Sequence, residues 1–421
     1  MAERDFPRVL VLCDEPINTI SGGGVTMGNL FRGWPPDRLG QIWAHHRFEI
    51  DESVCPNYLR LGEHKMPGES WVPDALRRQR ELVRKLRPLL RPGIRLDYER
   101  VLQWAREFAP DVIYSQATPY PMYTWQLPRR LARDLNVPLV NHIMDDWPAA
   151  MRYEWPPLYR QVMLPVLQRQ LRLLFDAGVC NLAICEQMAE AFAARYGKDF
   201  LPFHNMLDLT QWSAPKEDYT LARDVFQVVY LGALSEDNQV HSLRDIALAI
   251  GALVQRGVKI QLTVYTGDIY LGHYQQYLAG ISGVTHGGSV PRQRLCTTLA
   301  AADLLALPVN FDARSLAMIQ YSMPTKAPEY MASGTPVLVY APAHVPAAAY
   351  AREEAWGQVV AEKDSEKLER ALVHLMESEH IRAALGRRGR ELALRNHDAL
   401  VIREQFREVI RNAAARQSSG Q

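Results

Sequence analysis

The chain alternates short apolar runs with longer stretches in which apolar residues recur every three or four positions. Continuous apolar runs bounded by turn residues are typical of strands buried on both faces, and the three-to-four spacing is typical of amphipathic helices. The runs that predict strands are 8–13, 39–44, 111–115, 137–143, 178–184, 228–232, 260–267, 303–308, 337–340 and 357–361. Because strands and helices alternate, the pattern predicts parallel, doubly wound α/β sheets.

One stretch, 322–340, combines several signals. It predicts a loop, a short helix capped by Thr325, a left-handed stop at Gly334 and a buried strand. The positive end of a helix suits phosphate oxygens, and Lys326 adds a full charge there. Glu329, one turn later, can accept hydrogen bonds from sugar hydroxyls. The alternative interpretation is a surface ion pair on an ordinary capped helix.

Two further places carry candidate chemistry in the first half. The strand 8–13 leads to the triple glycine 22–24, which we expect to form a loop and whose spacing is not that of a dinucleotide site. His142 and Asp145 follow the strand 137–143, at the strand end where open α/β sheets bind ligands. They are candidates for acceptor contact or proton transfer. The alternative is a buried histidine beside aspartates that cap the next helix.

Composition limits the classes of function. A chain of 421 residues can hold two domains, and a net charge of +1 predicts no nucleic-acid partner. Five cysteines without Cys-x-x-Cys spacing argue against a disulfide framework or structural zinc, and scattered histidines predict no metal site. No apolar run is long enough to span a membrane, and the polar N-terminus leads us to expect no signal peptide. We therefore predict a cytoplasmic protein.

A basic amphipathic segment at 75–91 has two interpretations. Leucine and valine recur there at helical spacing among arginines and a lysine. Such a segment can lie on an anionic bilayer, which would make the protein peripheral at the inner membrane face. The plainer interpretation is a solvated helix that covers its own domain.

The residues 326–336, Lys-Ala-Pro-Glu-Tyr-Met-Ala-Ser-Gly-Thr-Pro, resemble the donor-binding signature of retaining GT-B glycosyltransferases of family 4, also called glycosyl transferases group 1. The resemblance extends over most of the chain. It implies two Rossmann-like, doubly wound domains facing a central cleft. The expected divisions are an acceptor-side domain at 1–212, a nucleotide-sugar domain at 213–397, and a C-terminal helix and tail at 398–421 that return to the first domain.

The resemblance also implies roles for individual residues. Gly23 and Gly24 would face the donor diphosphate, and the backbone near Val290 would receive the nucleobase. The full expected donor site is Gly23, Gly24, Gly232, Thr266, Val290, Arg314, Ser322, Pro324, Thr325, Lys326 and Glu329. The expected catalytic residues are His142, Asp145 and Lys326, although the histidine of the family aligns best with Met144.

Three positions depart from the family pattern. Ala233 stands where family members carry an arginine, Asn238 where they carry a lysine, and Tyr321 where many have a first glutamate. Three explanations remain open: Lys326 and Arg314 supply the phosphate charge instead, the donor binds differently, or the site is degenerate.

The expected reaction is transfer of a sugar, with retention, from a nucleotide-diphosphate donor to an acceptor hydroxyl on a glycan, a lipid-linked molecule or a small molecule. The nucleotide sugar is then a substrate, and no cofactor is expected. Within enzymes, the alternatives are a GT-B nucleotide-sugar epimerase and a sugar phosphorylase. The alternative that is not an enzyme is a non-catalytic partner in a glycosylation complex, which would account for the departures at residues 233, 238 and 321.

Overall fold

The structure is a computed structural model that describes residues 6–18, 22–43, 49–61, 97–118, 125–155, 157–203, 205–212, 214–221 and 223–416. The predicted basic segment 75–91 lies outside these residues. Contacts divide the chain into two compact units. The first unit consists of Met1–Phe203 with Val401–Gln421, and the second consists of His204–Leu400.

Each unit is built on one parallel sheet. The strands of the first unit are β1 (Val9–Leu12), β2 (Leu39–Trp43), β3 (Asn57–Arg60), β4 (Val112–Gln116), β5 (Leu139–Ile143), β6 (Cys180–Ala183) and β7 (Leu201–Pro202). Those of the second are β8 (Phe226–Leu231), β9 (Ile260–Tyr265), β10 (Val284–Gly288), β11 (Leu304–Pro308), β12 (Val337–Tyr340) and β13 (Gln358–Val360). The strand orders, β3-β2-β1-β4-β5-β6-β7 and β10-β9-β8-β11-β12-β13, are those of doubly wound sheets.

Helices connect most of the successive strands, and the last helices follow β13. The helices are α1 (Gly22–Phe31), α2 (Tyr98–Phe108), α3 (Leu127–Leu135), α4 (Trp147–Glu154), α5 (Pro157–Ala177), α6 (Glu186–Tyr196), α7 (Val240–Gln255), α8 (Leu271–Tyr277), α9 (Leu295–Ala300), α10 (Ala313–Ile319), α11 (Lys326–Ala332), α12 (Pro346–Glu353), α13 (Ser365–Glu377), α14 (Glu379–Asn396) and α15 (Ala399–Ala415). None of the helices that the structure describes is both long and apolar enough to cross a bilayer.

The apolar runs mark buried strands, as the sequence predicts. Every residue of β1, β2, β4 and β5 is buried, which is what parallel strands covered on both faces require. The strand β3 has no such run, since its one buried residue, Leu59, follows Tyr58, which is 38% exposed, and the two outer residues are half-buried. The sequence pattern therefore missed β3.

The triple glycine at 22–24 starts α1 instead of forming the predicted loop. A Cβ on Gly24 would lie 2.1 Å from Asn18 Nδ2 and 2.8 Å from the Pro16 carbonyl oxygen. The Asn18 amide in turn donates to that carbonyl at 2.7 Å. The glycine is thus required because the preceding turn lies directly against the first helical turn.

The C-terminal helix completes the core of the first unit. The ring of Phe406 on α15 is fully buried. Its centroid lies 5.2 Å from that of Phe31, 5.8 Å from that of Tyr114 and 5.8 Å from that of Phe203, in edge-to-face geometry. Such pairs add to the free energy of burying the rings. The last helix therefore stabilises a sheet whose strands lie far earlier in the sequence.

In the second unit, α11 packs against α14. The left-handed stop predicted at Gly334 is present, with φ of +72°. The Gly334 carbonyl accepts a hydrogen bond of 2.8 Å from the Tyr219 hydroxyl. A Cβ on Gly386 of α14 would lie 2.1 Å from the same carbonyl. Glycine at residue 386 therefore allows α14 to approach closely enough to hold the end of α11.

Candidate functional site

The polar residues of the second unit meet at the carboxyl edge of its sheet. Gly232 directly follows β8, Thr266 directly follows β9, and the first turn of α11 lies at the same edge, since its other end leads into β12. A Cβ on Gly232 would lie 2.0 Å from Lys326 Cε. The main chain after β8 is therefore in direct contact with the side chain of Lys326. The family resemblance implies that both belong to one donor site.

Only glycine fits between β8 and Lys326. Gly232 has φ of +141°, a conformation that side chains with a Cβ rarely adopt. Its amide donates to the Tyr265 carbonyl at 2.9 Å, which ties it to β9. The conformation and the close contact both require a residue without a Cβ, so the aliphatic part of the Lys326 side chain lies directly against the main chain of residue 232.

Lys326 is partly buried and points towards β8. Its Nζ donates a 2.8 Å hydrogen bond to the Tyr230 hydroxyl and lies 4.8 Å from the centroid of the Tyr230 ring. Burial lowers the pKa of Lys326 to about 8, although the nearby Glu329 acts to raise it. Among the described residues the ammonium group donates only to a neutral hydroxyl, and it is short of solvent. Such a group can gain more from an anion than a surface lysine can.

Glu329 lies one turn further along α11. Burial raises the pKa of its carboxyl group to about 7, and the neighbouring Arg292 and Lys326 only partly oppose this. Both groups therefore titrate close to neutral pH. A lysine and a glutamate with pKa values moved towards each other, at a sheet edge where α/β proteins bind ligands, are typical of a functional site.

Replacing Glu329 by glutamine should make stability less dependent on pH. The folded-state pKa of Glu329 is raised, so its contribution to stability is complete below about pH 4.5 and is lost as pH rises through about 7. At 1.36 kcal/mol per pKa unit the full shift corresponds to roughly 3 kcal/mol, and we expect about 1 to 2 kcal/mol because the side chain is partly solvated. Urea unfolding should show that the free energy of unfolding of Glu329→Gln exceeds that of the wild type at pH 8 but not at pH 5.

The matched control is Glu366→Gln. The Glu366 side chain is 83% exposed in the first turn of α13, so its replacement should have the same small effect at both pH values. A Glu329→Gln protein that is no more stable to urea than the wild type at pH 8 would contradict the raised pKa.

The predicted helix cap at Thr325 is wrong. Thr325 has helical main-chain angles and makes no side-chain capping bond, because the chain enters α11 directly from a turn. In that turn the Ser322 amide donates to the Ile319 carbonyl at 2.9 Å, and the Ala327 amide donates to the Pro324 carbonyl at 3.0 Å. Ser322, Pro324 and Thr325 thus shape the approach to Lys326 through their main chain.

Thr266 offers a hydrogen-bonding group inside the site. It is only 3% exposed, and its Oγ1 has no hydrogen-bond partner among the residues that the structure describes. Its amide donates to the Gly288 carbonyl at 2.9 Å, which places it beside the end of β10 and the predicted base-binding turn at Val290. An unsatisfied buried hydroxyl is costly, so a ligand or water that bonds to it would gain affinity.

Arg314 and two of the three departures from the family pattern, Ala233 and Asn238, make different contacts. Arg314 forms a 3.1 Å ion pair with Asp237, with about half of each side chain exposed, so part of its charge is already neutralised. The Ala233 carbonyl accepts from the Tyr230 hydroxyl, and the Asn238 carbonyl accepts from the Asn310 amide at 2.8 Å. Residues 233 and 238 thus take part in these bonds through their main-chain carbonyl groups.

In the first unit, His142 is placed in the core. It is fully buried on β5, and its Nδ1 lies 2.6 Å from the Tyr114 hydroxyl. Burial lowers its pKa to about 3, so the imidazole is neutral throughout the physiological range. This placement favours the alternative of a buried histidine over proton transfer at a solvent-facing site.

The two aspartates after β5 differ from each other. Asp145 is partly exposed at the sheet edge, where the sequence places a candidate for acceptor contact. Asp146 is fully buried and accepts two bonds of 2.7 Å from Arg195, with no capping bond to α4. The expectation that the aspartates cap this helix is therefore wrong for Asp146, which holds α6 by a bidentate ion pair.

Gln116 is a residue that the sequence analysis missed. It ends β4, and its Nε2 lies 3.1 Å from Met144 Sδ and 3.2 Å from the position that a Cβ on Gly23 would occupy. Gly23, Gln116 and Met144 thus meet at the carboxyl edge of the first sheet. A polar residue at the end of an apolar run was the available signal.

The second unit holds two more residues without an earlier assignment, Tyr230 and Arg292. Tyr230 accepts a hydrogen bond from Lys326, and the charge of Arg292 acts to lower the pKa of the Glu329 carboxyl group. A tyrosine within an apolar run is expected to be a core residue, so the sequence alone does not identify it as part of a site. Across the described ranges, no group of three histidines, cysteines or acidic residues is arranged to hold a metal ion.

Comparisons with known proteins bear on the second unit and on the fold. Residues 225–378 match the family model described as Glycosyl transferases group 1. No protein of curated function matches the chain by sequence.

Solved structures match both units. A sucrose-phosphate synthase from Thermosynechococcus elongatus has a TM-score of 0.68 at 16% identity, over 97% of this chain and 99% of its own. Anabaena HepE in complex with UDP and glucose has a TM-score of 0.65 at 15% identity, over 96% and 99%. WaaG, a glycosyltransferase involved in lipopolysaccharide biosynthesis, has a TM-score of 0.62 at 15% identity, over 96% and 99%.

At these identities the structural likeness shows the fold, and the predicted pair of Rossmann-like domains of GT-B type is confirmed. The family match identifies residues 225–378, within the second unit, as a glycosyl transferases group 1 domain. The chain thus carries a glycosyl transferases group 1 domain within the two-domain fold of known glycosyltransferases, and the prediction of a glycosyltransferase is confirmed at the level of that domain.

Proposed function

We propose that this protein transfers a sugar from a nucleoside-diphosphate donor to an acceptor hydroxyl with retention, as a family 4-like enzyme. The observation that carries the proposal is the partly buried Lys326 ammonium, which lies over Gly232 at the carboxyl edge of the second sheet. Retention and family 4 rest on the resemblance of residues 326–336 to the donor signature.

In the proposed donor site, Lys326 neutralises the diphosphate. Because a lysine has three donor hydrogens and Tyr230 takes one, the others are available to phosphate oxygens. Glu329 accepts from ribose or sugar hydroxyls, and the Thr266 hydroxyl supplies a further bond. A charged group already in place when the leaving diphosphate develops its charge lowers the barrier without needing to reorganise. The nucleotide sugar is a substrate here, and the proposal assigns no cofactor.

The first donor to test is UDP-glucose. Anabaena HepE, which shares the fold, has been solved with UDP-glucose, at 16% identity. That likeness supports the choice of probe. UDP, GDP, dTDP and CMP form the comparison panel, since the contacts of the described residues do not identify the base.

For the acceptor, we propose the carboxyl edge of the first sheet, where Gly23, Gln116 and Asp145 offer main-chain, amide and carboxylate groups. The proposal keeps a lipid-linked acceptor and a peripheral position at the inner membrane face among the options, through the basic segment 75–91. Flotation with vesicles of anionic and of neutral lipids would test that contact.

A non-catalytic partner is the second candidate, because Ala233, Asn238 and Tyr321 replace family residues and Arg314 is already paired with Asp237. Donor binding and hydrolysis separate the two. An enzyme should bind at least one nucleotide of the panel and slowly hydrolyse its sugar conjugate without an acceptor.

Lys326→Ala should weaken binding of the preferred nucleotide about 30-fold, measured by isothermal titration. The loss of one charge-assisted hydrogen bond to phosphate corresponds to about 2 kcal/mol. The matched control is Lys259→Ala, which removes a lysine of the same unit whose side chain is 68% exposed and should leave affinity unchanged. If no nucleotide binds the wild type, the result favours the non-catalytic partner. If affinity survives in Lys326→Ala, the lysine lies outside the donor site.

A further inference from the structure

The hydroxyl group of Tyr230 lies at the centre of a buried network. Lys326 Nζ donates to it at 2.8 Å, and Gln239 Nε2 donates to it at 3.0 Å. The Ala233 carbonyl is in hydrogen-bond contact with both the Tyr230 hydroxyl and the Gln239 amide. Tyr230 is fully buried and Gln239 is 5% exposed, so water does not compete freely for these bonds.

The direction of the Tyr230 proton follows from its partners. An ammonium group can only donate, and the amide nitrogen of Gln239 can only donate. The carbonyl of Ala233 is therefore the acceptor for the Tyr230 proton. A reversed Gln239 amide would point its oxygen at that carbonyl, which two acceptors do not tolerate. The hydroxyl consequently turns its lone pairs to Gln239 and Lys326.

A lysine needs such a fixed acceptor more than an arginine does. Its ammonium is a compact charge on a flexible stem of four carbons, whereas a guanidinium is rigid and planar. Holding a flexible group in its bound position before the ligand arrives reduces the entropy cost of binding. In this chain the site relies on a lysine, and position 233 contributes only its carbonyl.

We propose that the Tyr230 hydroxyl is the positioning group that holds the Lys326 ammonium over Gly232 in readiness for the donor diphosphate, with Gln239 and the Ala233 carbonyl setting its direction. The inference rests on the proposed function for the identity of the ligand. The positioning contact itself is a property of the unliganded protein and can be tested without any nucleotide.

The ionisable groups that act on Lys326 come from three elements. They are Glu329 on α11, Tyr230 on β8 and Tyr270 in the turn before α8. Of these, only the Tyr230 hydroxyl is within hydrogen-bond distance of the ammonium among the described residues. Its removal takes away the acceptor that favours the charged lysine, so the pKa of Lys326 should fall further below 8.

The experiment is Tyr230→Phe in protein labelled at lysine 13Cε, with the Lys326 signal assigned from Lys326→Arg. Titration by NMR should show the pKa of Lys326 lowered by about half a unit or more. The pH above which nucleotide affinity declines should move down by the same amount. Affinity at pH 6.5 should also fall, because the charged ammonium is then no longer held in its bound position. A purely structural role for the tyrosine would not move either midpoint.

Tyr340→Phe is the matched control. Tyr340 is also buried in the second sheet, 1% exposed, and its hydroxyl bonds Asp245 at 3.3 Å, away from Lys326. It should leave the pKa of Lys326 unchanged. If Tyr230→Phe does not fold, Gln239→Ala provides the same test with a smaller downward shift, because the hydroxyl then loses one of the two groups that orient it.

An unchanged pKa of Lys326 in the folded variant overturns the positioning role, whether or not nucleotides bind. A shifted pKa in a protein that binds no nucleotide supports the positioning role and overturns the proposed function. The two failures are therefore distinguishable from one set of proteins.

Discussion

Gly232→Ala is expected to weaken nucleotide binding about as much as Lys326→Ala does, roughly 30-fold, while the chain remains folded. The added Cβ would lie 2.0 Å from Lys326 Cε and 2.8 Å from Nζ, so the lysine must leave its position. Because the obstructing atoms belong to the end of a flexible side chain, the fold can adapt whereas the site cannot. The unfavourable φ of +141° adds about 1 to 3 kcal/mol of strain at the same position. Titration calorimetry and thermal unfolding on the same samples measure both effects.

The matched control for backbone strain is Gly257→Ala. Gly257 also has a positive φ, +84°, but a Cβ there would meet nothing within 4 Å. It should therefore lower the free energy of unfolding to a similar degree and leave nucleotide affinity intact. Equal affinities for Gly232→Ala and the wild type would show that the lysine does not bind the donor from above residue 232.

Phe406→Ala should lower the free energy of unfolding of the first unit by about 3 to 5 kcal/mol, the range for removing a large buried aromatic ring. The ring is fully buried against Phe31, Tyr114 and Phe203, and alanine leaves a cavity that these rings cannot fill. Two compact units do not guarantee two-state unfolding, so hydrogen exchange of the amides in β4 and α1 is the suitable measurement.

Val401→Ala tests whether the effect comes from the ring or from the helix. Val401 lies on the same helix with 53% of its side chain exposed, so its replacement should change protection by less than about 0.5 kcal/mol. If Phe406→Ala lowers the protection of these amides no more than Val401→Ala does, the last helix is not part of the core of the first unit.

Local signals predicted most of the elements that carry the site. The apolar run 337–340 and the left-handed stop at Gly334 depend on residues adjacent in sequence, and the structure contains both. The Thr325 cap was wrong because a turn enters α11 without extended main chain, which no residue preference reveals. The histidine at residue 142 is equally compatible with a site or a core, and its burial against Tyr114 decided for the core.

The sequence by itself determined the alternation of strands and helices and the choice of Lys326 and Glu329 as a pair, because both depend on spacing along short stretches. The two-domain class followed from the chain length and from the resemblance to GT-B enzymes. Only the tertiary structure decided what those two side chains meet. Tyr230 and Lys326 are 96 residues apart, and the parallel order of β8, β11 and β12 brings their elements to one sheet edge. Burial at that edge, which is a sum over many distant neighbours, then moves the pKa values of the lysine and the glutamate towards each other.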